Sequence, residues 1–156
     1  MKKLFIVLFL LLSTPVLAEE EKILSIDDFI GNYTSEDPES MNLTITKIDD
    51  KIKIINIDTF LDYSYIEHFI CDIDETTDKY IYLECNYSIN RDMSAYPPFK
   101  PYLKLYNNPN KYMSDIIMSI YYHGKEQYIK NNCYENETFS AFCKVSDVIA
   151  NRYKGE

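Results

Sequence analysis

Phe69-Ile70-Cys71-Asp72-Ile73-Asp74, followed after a polar break at Glu75 to Asp78 by Ile81-Tyr82-Leu83-Glu84-Cys85-Asn86-Tyr87, is the stretch from which the fold can be read. In both halves every second residue is apolar or cysteine, the period of a strand with one face in a core and the other in water. An antiparallel ladder keeps the sum of paired indices constant, so placing Cys71 opposite Cys85 also places Phe69 opposite Tyr87 and Ile73 opposite Leu83. One register thus gathers both cysteines and all these apolar side chains on a single face. It predicts a β-hairpin closed by a Cys71–Cys85 disulfide.

Upstream, Met41, Leu43 and Ile45 share one parity and Lys51 to Ile57 is rich in isoleucine, with Asp49-Asp50 between them as the turn of a second hairpin. Ser25 and Asp28 have the spacing of an N-cap and its acidic N3 partner, and Gly31 closes a single helical turn over Ile26 to Ile30. Downstream, Ser88 to Pro101 contains Pro97, Pro98 and Pro101; proline withholds a donor, so this segment is a loop and not a central strand. Tyr102 to Tyr106 reads as a strand.

The next segment admits two readings. Asn108-Pro109 could open a helix with Met113, Ile116, Ile117 and Ile120 on one face, ended by Gly124. Alternatively its β-branched and aromatic residues form a strand that turns at His123-Gly124 into a second strand over Gln127 to Lys130, and propensity favours this hairpin. Phe142, Val145, Ile149 and Tyr153 fall at three-or-four spacing before Gly155, predicting an amphipathic helix that starts between Thr138 and Ser140. The expected fold is mainly β: an antiparallel meander of about six to eight strands, as a sandwich or small barrel, with a short N-terminal helical turn and a C-terminal amphipathic helix. The alternative is an α+β fold with a second helix near 109–123.

The first eighteen residues read as a cleavable signal peptide: Lys2 and Lys3, the apolar run Leu4 to Leu12, and Val16-Leu17-Ala18 before the acidic Glu19-Glu20-Glu21. Residues 19–156 are then a single periplasmic or secreted domain without a membrane anchor. Losing residues 1–18 removes two lysines and no acid, so 16 basic residues against 25 acidic ones become 14, and the net charge goes from −9 to −11. That balance disfavours nucleic acid and anionic membranes as partners and favours a basic protein. Four sequons, at Asn32, Asn42, Asn86 and Asn136, are expected as coincidences of an asparagine-rich chain.

In an oxidising compartment four cysteines read as two disulfides, leaving Cys133 to pair with Cys143. No Cys-x-x-Cys and only two histidines argue against zinc. Asp72, Asp74, Thr76 and Asp78 have the alternation of a calcium loop, but Thr77 stands where its glycine is needed and Leu83 where its bidentate glutamate is needed. Neither a metal nor a cofactor is expected. His68 and His123 lack any identifiable nucleophile, so no triad and no catalytic residue can be named.

Phe29-Ile30-Gly31-Asn32-Tyr33, a helical turn followed by Gly-x-aromatic, resembles the entry into small ligand-binding barrels of the lipocalin type, over too little of the chain to assign a family. Three function classes follow. The first is a non-enzymatic exported binding protein, such as an inhibitor or immunity protein acting on a basic cell-wall hydrolase. Its expected contact residues are Tyr96 and Phe99 of the proline loop with exposed Tyr80 and Tyr82 nearby. The second is a lipocalin-like barrel with an apolar ligand against Phe69, Ile73 and Leu83, and the third an envelope hydrolase built from dispersed carboxylates or His68.

Overall fold

A computed structural model describes residues 22–34, 42–60, 63–89, 100–112, 114–133 and 146–154. The expected signal peptide lies outside them. A 3-10 turn (Ile26–Phe29) leads into eight strands: β1 (Gly31–Thr34), β2 (Leu43–Ile48), β3 (Lys51–Phe60), β4 (Tyr63–Thr76), β5 (Ile81–Ile89), β6 (Tyr102–Asn107), β7 (Ile116–Tyr121) and β8 (Ser146–Arg152). Among the described residues one helix, α1 (Gly124–Lys130), stands between β7 and β8. Each strand pairs antiparallel with the next, and β8 returns to β1 through Tyr33↔Arg152 and Thr34↔Asn151, closing a barrel. Closure gives every strand a hydrogen-bonded neighbour on both sides.

The hairpin expected around the two cysteines is β4–β5, in the expected register: Phe69↔Tyr87, Cys71↔Cys85 and Ile73↔Leu83, with the Cys71–Cys85 disulfide formed. One residue departs. Ile73 faces Leu83 across the ladder but is 44% exposed, because the register shifts between Ile73 and Glu75 and the bulge bends β4 away from the interior. The hairpin at Asp49-Asp50 is β2–β3, and Asp49 takes the left-handed conformation (φ 55°) that a short polar side chain tolerates.

Alternating residues of the strands fill the lower barrel. Leu43, Ile45, Ile52, Ile54, Phe69, Cys71, Leu83, Leu103, Leu105, Met118 and Ala150 are fully buried or nearly so and belong to one packed cluster. The capped turn plugs this end, which we call the base: Ser25 Oγ accepts from Asp27 N–H and Asp28 Oδ2 accepts from Ser25 N–H, while Ile26 and Phe29 enter the core. Tyr33 OH donates to Phe29 O at 2.7 Å. Arg152, on the last strand, lies over the Tyr33 ring (5.2 Å) and donates to Ile30 O, Asp28 O and the Tyr33 hydroxyl, tying the two ends of the described chain together. Burial raises the Tyr33 phenol above its ordinary pKa despite the opposing Arg152 charge. Gly31 has φ 153°, a backbone conformation that L side chains rarely adopt, and a Cβ there would also push the Arg152 guanidinium aside.

Two segments expected on periodicity take other forms. Gln127 to Lys130 is helical in α1, not a strand, because β8 already occupies the hydrogen-bonding edge of β7 and the segment must satisfy its backbone internally. The helix expected to start between Thr138 and Ser140 and to stop at Gly155 is replaced, over Ser146–Arg152, by β8. A gap between β7 and β1 supplies ladder partners on both sides; that pairing outweighs the three-or-four spacing of Ile149 and Tyr153, and Ile149 is left facing outward. The start of that expected helix, with Phe142 and Val145, is outside the described residues. Residues 116–121 are strand, so the α+β alternative with a helix near 109–123 does not hold.

Helix α1 lies on the outside of the barrel against tyrosines. Tyr128 packs on Tyr102 and Tyr121, with ring centroids 5.2 Å away in each case, and Tyr82 stacks on Tyr102 at 5.6 Å. Gly124 opens the helix at φ 81°, where a Cβ would approach Lys100 O to 2.9 Å. Asp74 fastens the arrangement by accepting from Tyr102 OH and Lys125 Nζ. Desolvation raises the Asp74 carboxyl pKa, but the hydrogen bonds from Lys125 and Tyr102 and the Lys125 charge outweigh it and leave the pKa below its ordinary value. A carboxyl depressed on folding contributes stability above its unfolded pKa, about 3.9, and loses it as pH falls through the lower folded value. The thermal midpoint of the native protein should therefore fall more steeply below about pH 4 than that of Asp74→Asn. Parallel curves for the two proteins would remove Asp74 from the account.

Candidate functional site

The two ends of the barrel differ. The base holds the plug and the turns between β2 and β3 and between β4 and β5; the opposite end, here the mouth, receives the connections β1–β2, β3–β4, β5–β6 and β7–β8. Toward the mouth the inward face turns polar. Asn56, one inward position beyond Ile54 on β3, stands opposite Glu67, one inward position beyond Phe69 on β4. Asn56 Nδ2 donates to Glu67 Oε2 at 2.7 Å, and Glu67 Oε1 accepts from Tyr87 OH at 2.9 Å and Tyr122 OH at 3.2 Å. Glu67 is 8% exposed.

These four side chains come from β3, β4, β5 and the residue following β7, so closure of the barrel is what assembles them. Tyr87 and Tyr122 are half-buried and pack on the core below, Tyr87 at 5.1 Å from Phe69 and 6.1 Å from Tyr122. The result is a carboxylate, an amide and two phenols among aromatic rings, where the packed interior meets the mouth. The parity that buries Phe69 and Cys71 runs back to Glu67 and Tyr65, so an inward acid could be read from the sequence by extending the strand two residues. The Tyr122 contact could not, because it depends on which strand closes beside which.

The residues expected to bind are divided. Tyr82 is not exposed; it is 6% exposed beneath α1 and Tyr102, a consequence of the helix that stands where a strand over Gln127 to Lys130 was expected. Tyr80 is half-buried, with its ring edge-on to Tyr106 at 5.4 Å and Lys104 Nζ 4.1 Å from its centroid, and it lines an open groove of about 320 Å³ at the base with Leu24 and Pro109. Tyr96 and Phe99 lie outside the described residues. Their segment leaves β5 at Ile89 on the mouth side, whereas Tyr80 precedes β5 at the base, the length of a nine-residue strand away, about 30 Å.

Cys133 is disulfide-bonded; Cys143, its expected partner, lies outside the described residues. His68 faces outward from β4, opposite Ile55 and Ser88, and His123 is exposed before α1. Of the calcium-like series, Asp72 pairs with Lys51 and Asp74 with Lys125, so the alternation serves separate ion pairs. Among the described residues no three His, Cys, Asp or Glu side chains converge as metal ligands.

Fold and site define a closed eight-stranded antiparallel meander barrel, plugged at the base by a 3-10 turn and polar toward the mouth. Neither the protein-family models nor the curated proteins nor the solved structures contain a match to the chain. Phe29 to Tyr33 runs from the end of the 3-10 turn into β1, the first strand of the barrel.

Proposed function

We propose that the mature chain is an exported, non-catalytic binding protein that engages a basic protein, such as a cationic cell-wall hydrolase, through the mouth of its barrel. The observation that carries this reading is the filled interior: Phe69 and Leu83, expected to line a ligand chamber, are fully buried in a packed cluster, and Ile73 lies outside it. A barrel filled in this way serves as a scaffold, and recognition then falls to the connections it presents. The strand ends that those connections join share one end of the barrel, and the proline segment with Tyr96 and Phe99 joins β5 to β6 in sequence. A net charge of −9 before signal removal supports a basic partner, whose association would be electrostatically steered.

The test is binding and inhibition against a panel of cationic lysozymes and hydrolases at increasing ionic strength. A complex should form and weaken steeply with salt, and replacing Tyr96 and Phe99 together by Ala should cost about tenfold or more in affinity at unchanged thermal stability. Absence of complex formation across the panel, or an unchanged affinity in the double variant, would count against the reading.

A further inference from the structure

Glu67 occupies an unusual position for a carboxylate. It points into the barrel, directly opposite Asn56 and beside Ile89, and is nine-tenths buried. Desolvating a carboxylate is costly unless the charge is matched. Among the described residues Glu67 has neutral donors only, one amide and two phenols, and the lysine salt bridges belong to Asp27, Asp72 and Asp74. The two phenols share Oε1 and the amide reaches Oε2. A carboxylate offers about four lone-pair positions, so acceptor capacity remains on Oε2.

The surroundings suit a cation as well. The rings of Phe69, Tyr87 and Tyr122 form a chain at 5.1 and 6.1 Å, and aromatic faces attract positive charge through their quadrupoles. Below them the core is apolar and full; toward the mouth the inward-facing Tyr65, Tyr87, Ile89 and Tyr122 are only half-buried. The side of Glu67 that faces these half-buried residues is the side from which a ligand would approach. A neutral apolar ligand would leave the carboxylate's remaining capacity unused and further desolvated, and an anion would be repelled by it.

We propose that Glu67, Asn56, Tyr87 and Tyr122 form a subsite for a primary ammonium group attached to an apolar or aromatic body. Glu67 supplies the charge and a hydrogen bond through Oε2, Asn56 and the two phenols hold the carboxylate in place, and the rings of Tyr87 and Tyr122 contact the body of the ligand. The subsite does not depend on the protein-binding reading: a free amine and a protein's lysine side chain carry the same ammonium group, and the test separates the two sources.

The test is titration of the mature protein with benzylamine, with benzyl alcohol as its uncharged counterpart, followed by tyrosine fluorescence and by the thermal midpoint. Benzylamine should bind saturably, benzyl alcohol about tenfold more weakly or worse, and Glu67→Gln should lose about tenfold in benzylamine affinity with its far-ultraviolet circular dichroism unchanged. Equal binding of the two probes, no saturable benzylamine signal, or undiminished binding by a folded Glu67→Gln would overturn the proposal and leave the cluster a purely structural network. Should Glu67→Gln fail to fold, Tyr122→Phe decides: it keeps the ring and removes one of the hydrogen bonds that hold the carboxylate in place, so benzylamine binding should weaken by about threefold or more while benzyl alcohol binding stays the same, and unchanged or tighter benzylamine binding overturns the proposal. Nα-acetyl-lysine methylamide is the second arm. Affinity matching benzylamine assigns the ammonium to a protein side chain, while binding of benzylamine alone assigns it to a free amine. A failure of cationic hydrolases to bind leaves these readouts unaffected, so the two readings fail separately.

Discussion

Phe69→Ala should destabilise the protein by about 3–5 kcal/mol, the cost of removing a large aromatic side chain from a packed core. Phe69 is fully buried, faces Ile54 across β3 and Tyr87 across β5, and packs its ring 5.1 Å from that of Tyr87. Truncation removes the transfer free energy of the ring, leaves a void that backbone laddered on both sides cannot close, and forfeits an aromatic pair worth about 0.5–1.5 kcal/mol. Small domains hold a net stability of about 5–15 kcal/mol, so the variant should be marginal at 37 °C. Phe69→Leu should retain most of the lost stability, at a cost below about 2 kcal/mol. Urea unfolding at constant m-value checks both. A loss under about 1 kcal/mol for Phe69→Ala would mean that the ring borders open space, and the barrel would then be a container and not a scaffold. The same measurement thus bears on the function, because the mouth-directed reading depends on a filled interior.

Why the chain's β-hairpins were legible and its last third was not comes down to which interactions choose the conformation. In β2–β3 and β4–β5 the local pattern and the tertiary environment agree: the turn residues lie between the strands, and the alternation matches a surface with core on one side. At the other extreme is Ser146–Arg152, where Val148 and Ala150 alternate inward but Ile149 and Tyr153 keep a helical spacing. Only the open edges of β1 and β7, contributed from distant parts of the chain, decide between them. Gln127 to Lys130 shows the converse, since its strand propensity finds no free edge.

The candidate site shows the same division. Glu67 and Asn56 sit at inward parities that their own strands declare, and Tyr87 was already placed by the cysteine register. Their convergence with Tyr122, and the burial of Tyr82 beneath α1, arise from contacts between elements that are far apart in sequence. The plug at the base belongs to both classes: Ser25, Asp28 and Gly31 announce the turn locally, whereas Arg152, which locks it, becomes visible only once β8 lies beside β1.

Replacing Cys71 and Cys85 together by Ala should lower stability by about 3 kcal/mol through chain entropy alone, since the bond closes a loop with a sequence separation of 14 residues. The strands themselves hold the two positions opposite each other, and both side chains are buried in the inward cluster, so the fold has no need of the bond to set the register. The effect should therefore appear mainly in the unfolded state: a freer, more expanded denatured chain, with a larger m-value than the native protein as well as a lower urea midpoint. Loss of the two sulfur atoms from a full interior adds a packing cost in the folded state, which reduction of the native protein under denaturant, followed by thiol blocking, does not reproduce in the same way. Burial makes a second prediction independent of the variant. Dithiothreitol at neutral pH should leave the Cys71–Cys85 bond intact in the folded protein and cleave it rapidly once urea passes the midpoint, because the attacking thiolate must reach a sulfur enclosed by the barrel wall. Rapid reduction without denaturant, read by mass after alkylation, would show that β4 and β5 open at that level in the native state. The packed interior on which both Phe69 and the mouth-directed binding reading rest would then have to be given up.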